Sequence, residues 1–387
     1  MTVDLLDRIR DRIAETGSPP TPAVVADAVR SEAGGVVGHT DLLAALRSLG
    51  DEFVGAGALE PLLRDPDTTD VLVTGPADVW LDGGSGLHRT DIRFPGEDSV
   101  RRLAQRLALA AGRRLDDAQP YVDAWLPGTG PHGRVRLHAV LPPLAADGTC
   151  LSLRVLRPAT HDLATLRALG TFDDRTADLL TDIVRSRLAF LVVGGTGTGK
   201  TTLLAALLGC VPARERIVCV EDAGELQPSH PQVVRLVARP ANVEGVGEVT
   251  VRDLVRQALR MRPDRLVVGE VRGAEVCELL AALNTGHDGG AGTLHANSPA
   301  EVPARLEALA ALGGLSRPAL HSQLAAALQV VVHVRRNDAG QRVLAEIGVV
   351  TRTDDGVQVL PAWRPDGRQI GWPTLAALLN PIGAVRC

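Results

Sequence analysis

Lysine is nearly absent from this chain: of 41 basic residues every one but Lys200 is arginine. Drift toward GC-rich codons accounts for such a skew, and a lysine kept against it marks a position where a planar guanidinium does not serve. Aromatic residues are equally scarce at 2%, with Tyr121 the single tyrosine. That excludes a core of stacked rings and argues against an aromatic platform for single-stranded nucleic acid. The five cysteines (Cys150, Cys210, Cys219, Cys277, Cys387) include no CxxC pair and no cysteine–histidine spacing of a zinc site. They read as buried free thiols of a reducing compartment. No apolar run approaches the ~20 residues that span a bilayer. The opening MTVDLLDRIRDRIAE is a charged amphipathic helix pattern rather than a signal peptide. A cytoplasmic protein is expected, held at the inner face of the cell membrane through a partner if at all. Excess positive charge is missing too: a net charge of -5 and a pI near 6.1 give no general attraction to phosphate backbones. Nucleic acid is therefore the weaker reading of the partner.

What is present is enough apolar material, 45% of 387 residues, to fill two domains of roughly 150 residues each. Residues 1–50 have helical periodicity (Leu5, Leu6, Ile9, Ile13, then Leu42, Leu43, Leu46, Leu49) broken by SPPTP. Residues 51–158 change to short apolar runs between Gly, Pro and Asp, such as DVLVTGP, RVRLHAVLPP and CLSLRVLRP, with one helix near 98–111. This predicts a smaller α/β domain. A linker at 159–170 leads into 171–387, where strand and helix alternate through LAFLVVGG, TTLLAALLG, RIVCVED, VRDLVRQALR and RLVVGEVRG. Alternation of that kind predicts an α/β domain with a mostly parallel sheet and helices on both faces, followed by C-terminal strands.

LAFLVV runs into GGTGTGKTT, a complete GxxxxGK[ST] phosphate-loop pattern in a strand–loop–helix context. Gly194, Gly195, Thr196, Gly197, Thr198, Gly199, Lys200, Thr201 and Thr202 are the candidate nucleotide-binding residues. Glycines let successive backbone N–H groups turn toward phosphate, and the following helix presents its positive end. Lys200 is expected between the β- and γ-phosphates of ATP, with the Thr201 hydroxyl on Mg²⁺. With no other lysine, the chain has neither the NKxD motif of GTPases nor the second lysine that protein kinases need.

RLVVGE ends in Glu270, the first candidate for a base that activates water. Gly269 stands where P-loop ATPases usually have an aspartate, so a further acid is wanted near the metal. Glu221, Asp222 and Glu225 in VCVEDAGELQ are candidates for holding the metal or positioning water; solvated loop acids are the plainer reading. NTGHDGGAGTLHAN brings His287 and His295, either of which could bond phosphate or the attacking water, or simply fill a turn.

The order of these boxes, phosphate loop, EDAGE, a Gly-Glu strand and then TGHDGG with TLHAN, resembles the type II/IV secretion ATPase superfamily, with a Tad/CpaF-like branch nearest. The resemblance spans roughly residues 50–350 and makes the glycine of the Gly-Glu strand ordinary. It implies a RecA-like ATPase domain in a homohexamer, each nucleotide clamped between two domains, working on an integral membrane platform protein. It also implies that Glu225 assists hydrolysis, behind Glu270, and that arginines neutralise the γ-phosphate: Arg136 and Arg154 first, with Arg235, Arg239, Arg260 and Arg272 as further candidates. A solvated strand face is the other reading of Arg136 and Arg154. The competing class is a RecA-like DNA motor or conjugation ATPase.

Overall fold

Alternating burial along short strands and continuous burial along others separate two kinds of sheet. The computed structural model describes residues 55–380 except 85, 127–133, 157–160, 243–244 and 287, together with the single positions Arg12, Val24, Asp27, Ala28, Ser31 and Glu32. Apart from these positions, the helices expected at 1–50 lie outside the described residues, as does His287. The chain divides into two compact units, Met1–Arg157 and Pro158–Cys387.

The first unit has helix α1 (Glu60–Arg64), strands β1 (Asp70–Thr74), β2 (Asp78–Asp82) and β3 (Leu87–Arg89), helix α2 (Glu97–Ala110), then β4 (Tyr121–Trp125), β5 (Arg134–Val140) and β6 (Cys150–Leu156). Its sheet runs β3-β2-β1-β6-β5-β4 with every pairing antiparallel. One face is apolar, with Val71, Val73, Leu137, Ala139, Leu151 and Leu153 buried. Val100, Leu103, Ala104, Leu107 and Ala108 of α2 join the same core at the spacing that makes one helix stripe. The residues between them point the other way. On that second face Asp70, Arg154, Arg136 and Trp125 stand in one cross-strand row.

The second unit opens on α3 (Leu163–Ala168) and α4 (Asp174–Arg185). Part of the stretch expected as a linker is thus helical, capped by Asp162 accepting from Thr165 N at 2.7 Å and packed through buried Leu166. There follow β7 (Phe190–Val193), α5 (Lys200–Leu208), β8 (Ile217–Glu221), β9 (Val233–Val237), α6 (Val251–Ala258), β10 (Arg265–Val271), α7 (Val276–Leu283), β11 (Ala291–Leu294), α8 (Val302–Leu312) and α9 (Arg317–Ala327). The chain ends on β12 (Val330–Arg336), β13 (Arg342–Thr353), β14 (Gly356–Arg364), β15 (Gly367–Arg368) and α10 (Trp372–Leu379).

The nine-stranded sheet has the order β15-β14-β13-β12-β7-β11-β10-β8-β9. From β12 to β9 all neighbours are parallel, and the β12–β15 end is antiparallel. β7 and β8 are buried at every position because helices cover both faces. Phe190 and Val192 pack with α4, α5 and α10, while Leu191 and Val193 pack with the side of α6 to α9. In α5 the residues Leu203 to Leu208 are all buried, so this helix is apolar around its whole circumference.

Candidate active site

In a parallel sheet, loops at the carboxyl ends of the strands gather on one edge, and ligands bind there. β7, β8, β10 and β11 end on Val193, Glu221, Val271 and Leu294. β11 lies between β7 and β10, so the strand feeding the glycine loop and the strand carrying Glu270 are separated by one strand. His295, the first residue after β11, falls between them.

The loop is set by glycines in positions closed to other residues. Gly197 and Gly199 have φ of 71° and 93°, in the left-handed region, and a side chain at Gly194 would run into the Val334 carbonyl and the Thr198 hydroxyl. Lys200, 7% exposed, begins α5 and donates to Gly195 O at 2.9 Å; Thr198 Oγ1 donates to the same oxygen at 2.9 Å. Burial lowers the Lys200 pKa, Glu270 opposing this and Arg272 adding to it.

A row of charged side chains starts at that ammonium. Lys200 Nζ is 3.5 Å from His295 Nδ1, and His295 Nε2 is 2.6 Å from Glu270 Oε1, off the line of the ring N–H. Arg272 Nη2 meets Glu270 Oε2 at 2.5 Å, and its Nη1 meets Asp222 Oδ2 at 2.9 Å. Burial and the neighbouring Lys200 both lower the His295 pKa. At neutral pH the ring is uncharged. An ammonium at Nδ1 favours a lone pair there and so the tautomer protonated on Nε2.

The position lacking an aspartate has a physical explanation. A Cβ on Gly269 would lie 2.6 Å from Glu221 Cγ and 3.0 Å from its Oε1. The side chain of Glu221, reaching across from the adjacent strand β8, fills that space. Glu221 Oε1 accepts the backbone N–H groups of Glu225 and Leu226, each at 2.9 Å. Its Oε2 is buried with no hydrogen-bond partner among the described residues. Burial pushes the Glu221 carboxyl up to about 7, against those two N–H groups. Glu221 Oε2 and the Thr201 hydroxyl in the first turn of α5 are each oxygen donors of the kind Mg²⁺ takes. Among the described residues no group of three or more His, Cys, Asp and Glu forms a metal cluster by itself.

The arginine candidates divide. Arg272 belongs to the row. Arg239 donates to Gly247 O at 2.9 Å and Arg260 to Arg256 O at 2.7 Å, while Arg235 is exposed on edge strand β9. Arg136 and Arg154 are cross-strand neighbours of the first unit, paired with Asp123 (2.8 and 2.5 Å) and Asp70 (2.8 Å). Two further arginines, which the sequence reading passed over, flank the glycine loop: Arg342 Cδ is 3.2 Å from the Cβ position of Gly199, and Arg336 Nη2 is 4.0 Å from that of Gly197. The turn NDAG between two apolar runs, a hairpin signal, could have paired them.

The sheet order, the glycine loop leading into α5 and the acidic strand one place removed define a RecA-like P-loop fold. The type II/IV secretion system protein family matches residues 52–366, and the chain belongs to that family. A Mycobacterium tuberculosis (H37Rv) protein named for conjugal transfer is 69% identical over 332 residues, covering 86% of this chain and 94% of its own length. The type IV secretion system protein PtlH of Bordetella pertussis is 34% identical, covering 62% of this chain and 76% of its own. Among solved structures, the pilus retraction motor PilT with bound ADP superposes with a TM-score of 0.54 at 22% identity, covering 82% of this chain and 83% of that one. Among the described residues no helix is long and apolar enough to cross a membrane.

Proposed function

We propose that this protein hydrolyses ATP to ADP and phosphate as a homohexamer and drives a pilus or secretion machine of the Tad/CpaF-like kind by acting on an integral membrane platform protein. The observation that carries the reading is the continuous row from Lys200 through His295, Glu270 and Arg272 to Asp222. It joins a phosphate-binding cation to an ion-paired carboxylate.

Lys200 exchanges the Gly195 carbonyl for a phosphate oxygen, which costs the loop little because one charge-assisted contact replaces another. Glu270 orients water and takes its proton as the water oxygen bonds to the γ-phosphorus and the bond to the bridging oxygen breaks. Neutral His295 between ammonium and carboxylate keeps the two apart and senses loss of the γ-phosphate. Glu225 assists at the acidic end, and Arg136 and Arg154 supply charge to the γ-phosphate. Thr201, Glu221 and Asp222 would hold Mg²⁺, which when bound neutralises charge on the phosphates. The protein would then be cytoplasmic, at the inner face of the membrane.

Steady-state phosphate release tests the enzyme claim. Wild type should turn over ATP, Lys200→Ala should not, and Glu270→Gln should fall by ~10²–10⁴-fold. A wild type no faster than either variant removes the claim. The name of the Mycobacterium relative supports a second reading, in which the load is nucleic acid in conjugation. Turnover stimulated by DNA with a steep salt dependence favours that reading, and stimulation by a membrane platform protein favours the first.

A further inference from the structure

Arg336 and Arg342 face each other across the β12–β13 ladder, one residue on each strand at the mouth of the hairpin. Both lie against the glycine loop, at the distances given above. Two guanidinium groups side by side normally share an acid. Here the Arg336 side chain donates to Gly340 O at 2.9 Å, and the Arg342 guanidinium makes no hydrogen bond or ion pair with the described residues. The protein around Arg342 and the neighbouring Arg336 both hold its pKa below the ordinary arginine value. Both residues are exposed, so an anion seated on the glycine loop can reach them.

The sheet order says which part of the anion. Strands run β13-β12-β7-β11-β10, so the arginine pair stands on one flank of the loop, and Glu270 and Arg272 stand on the other, beyond β11. The γ-phosphate must lie toward Glu270 if that residue is the base, which leaves the phosphates common to ATP and ADP nearer the pair. Resting on the ATPase reading above, we infer that Arg336 and Arg342 clamp the diphosphate of a bound nucleotide and serve affinity rather than the chemical step.

The test is titration of the full chain with fluorescently tagged ADP and ATP. A charge-assisted contact contributes enough that Arg342→Gln should weaken both nucleotides by about tenfold or more, leaving their ratio unchanged. Turnover at saturating ATP should stay within about twofold. Arg336→Gln should behave likewise, and Arg342→Lys should recover part of the loss. Arg352→Gln, on an exposed residue at the far end of β13, should bind as wild type. Inorganic pyrophosphate should displace tagged ADP from wild type and do so less well from Arg342→Gln.

Thermal unfolding without nucleotide establishes that each variant is folded. Wild-type affinity in the folded variants overturns the inference. So does a loss confined to ATP, which would move the pair to the γ-phosphate, or unchanged displacement by pyrophosphate, which would move it to the base or ribose. A wild type that binds no nucleotide refutes the ATPase reading instead.

Discussion

At the scale of the residue, Gly269 and Glu221 are one unit written in two places. Installing the aspartate common elsewhere, by Gly269→Asp, drives a Cβ into Glu221 Cγ and should destabilise the protein by about 1–3 kcal/mol in chemical denaturation. Adding Glu221→Gly should restore most of that loss, and a double variant no better than the single one would show that the clash is not the cause. Glu221 also predicts a pH dependence. Its carboxyl ionises near 4.5 when unfolded and at about 7 when folded, so the unfolded chain sheds a proton first. Its share of stability is present below pH ~4.5, declines as pH rises toward 7 and is lost above it. Glu221→Gln should therefore flatten the fall in unfolding midpoint across that window, in buffer without nucleotide or metal. The pairing was illegible in the sequence, because it exists only once β8 and β10 are neighbours. The glycine loop was legible, because its residues are consecutive and its lysine has no rival.

At the scale of the element, β10 is anchored at its start by an arginine buried to 0% exposure. Arg265 Nε donates to Glu215 Oε2 at 2.6 Å, Nη1 to Gly289 O at 3.2 Å and Nη2 to Val184 O at 3.0 Å. One side chain thereby ties β10 to the approach of β8, to the approach of β11 and to the end of α4. Removing its acid by Glu215→Ala leaves a buried charge uncompensated, and unfolding should cost about 3–5 kcal/mol less. A smaller change would mean that the two carbonyls suffice. The strands β7, β8 and β10 were readable because burial on both faces makes them apolar throughout. Nothing in RPDRLVV announces the partners of Arg265, which are far off in the sequence.

At the scale of the molecule, the first unit has a core of its own, one cluster of buried apolar residues that includes Leu59, Leu137 and Leu153. We expect a fragment of residues 51–158 to fold alone with a cooperative thermal transition, and a broad, non-cooperative melt would contradict this. The change of pattern near residue 158 was legible because short apolar runs between Gly, Pro and Asp give way beyond it to alternating strand and helix patterns. The all-antiparallel order of the first sheet was not, since short strands of similar composition fit several orders. One property of the row from Lys200 to Asp222 reaches beyond the site. Two cations, two anions and a neutral ring leave it electrically closed at rest, inside a chain whose net charge is already -5. On the ATPase reading, a polyanion entering there finds no surplus in the row, so counter-charge comes from arginines outside it or travels with the ligand as metal. Under that reading each round of binding and release also changes the charge of the whole molecule.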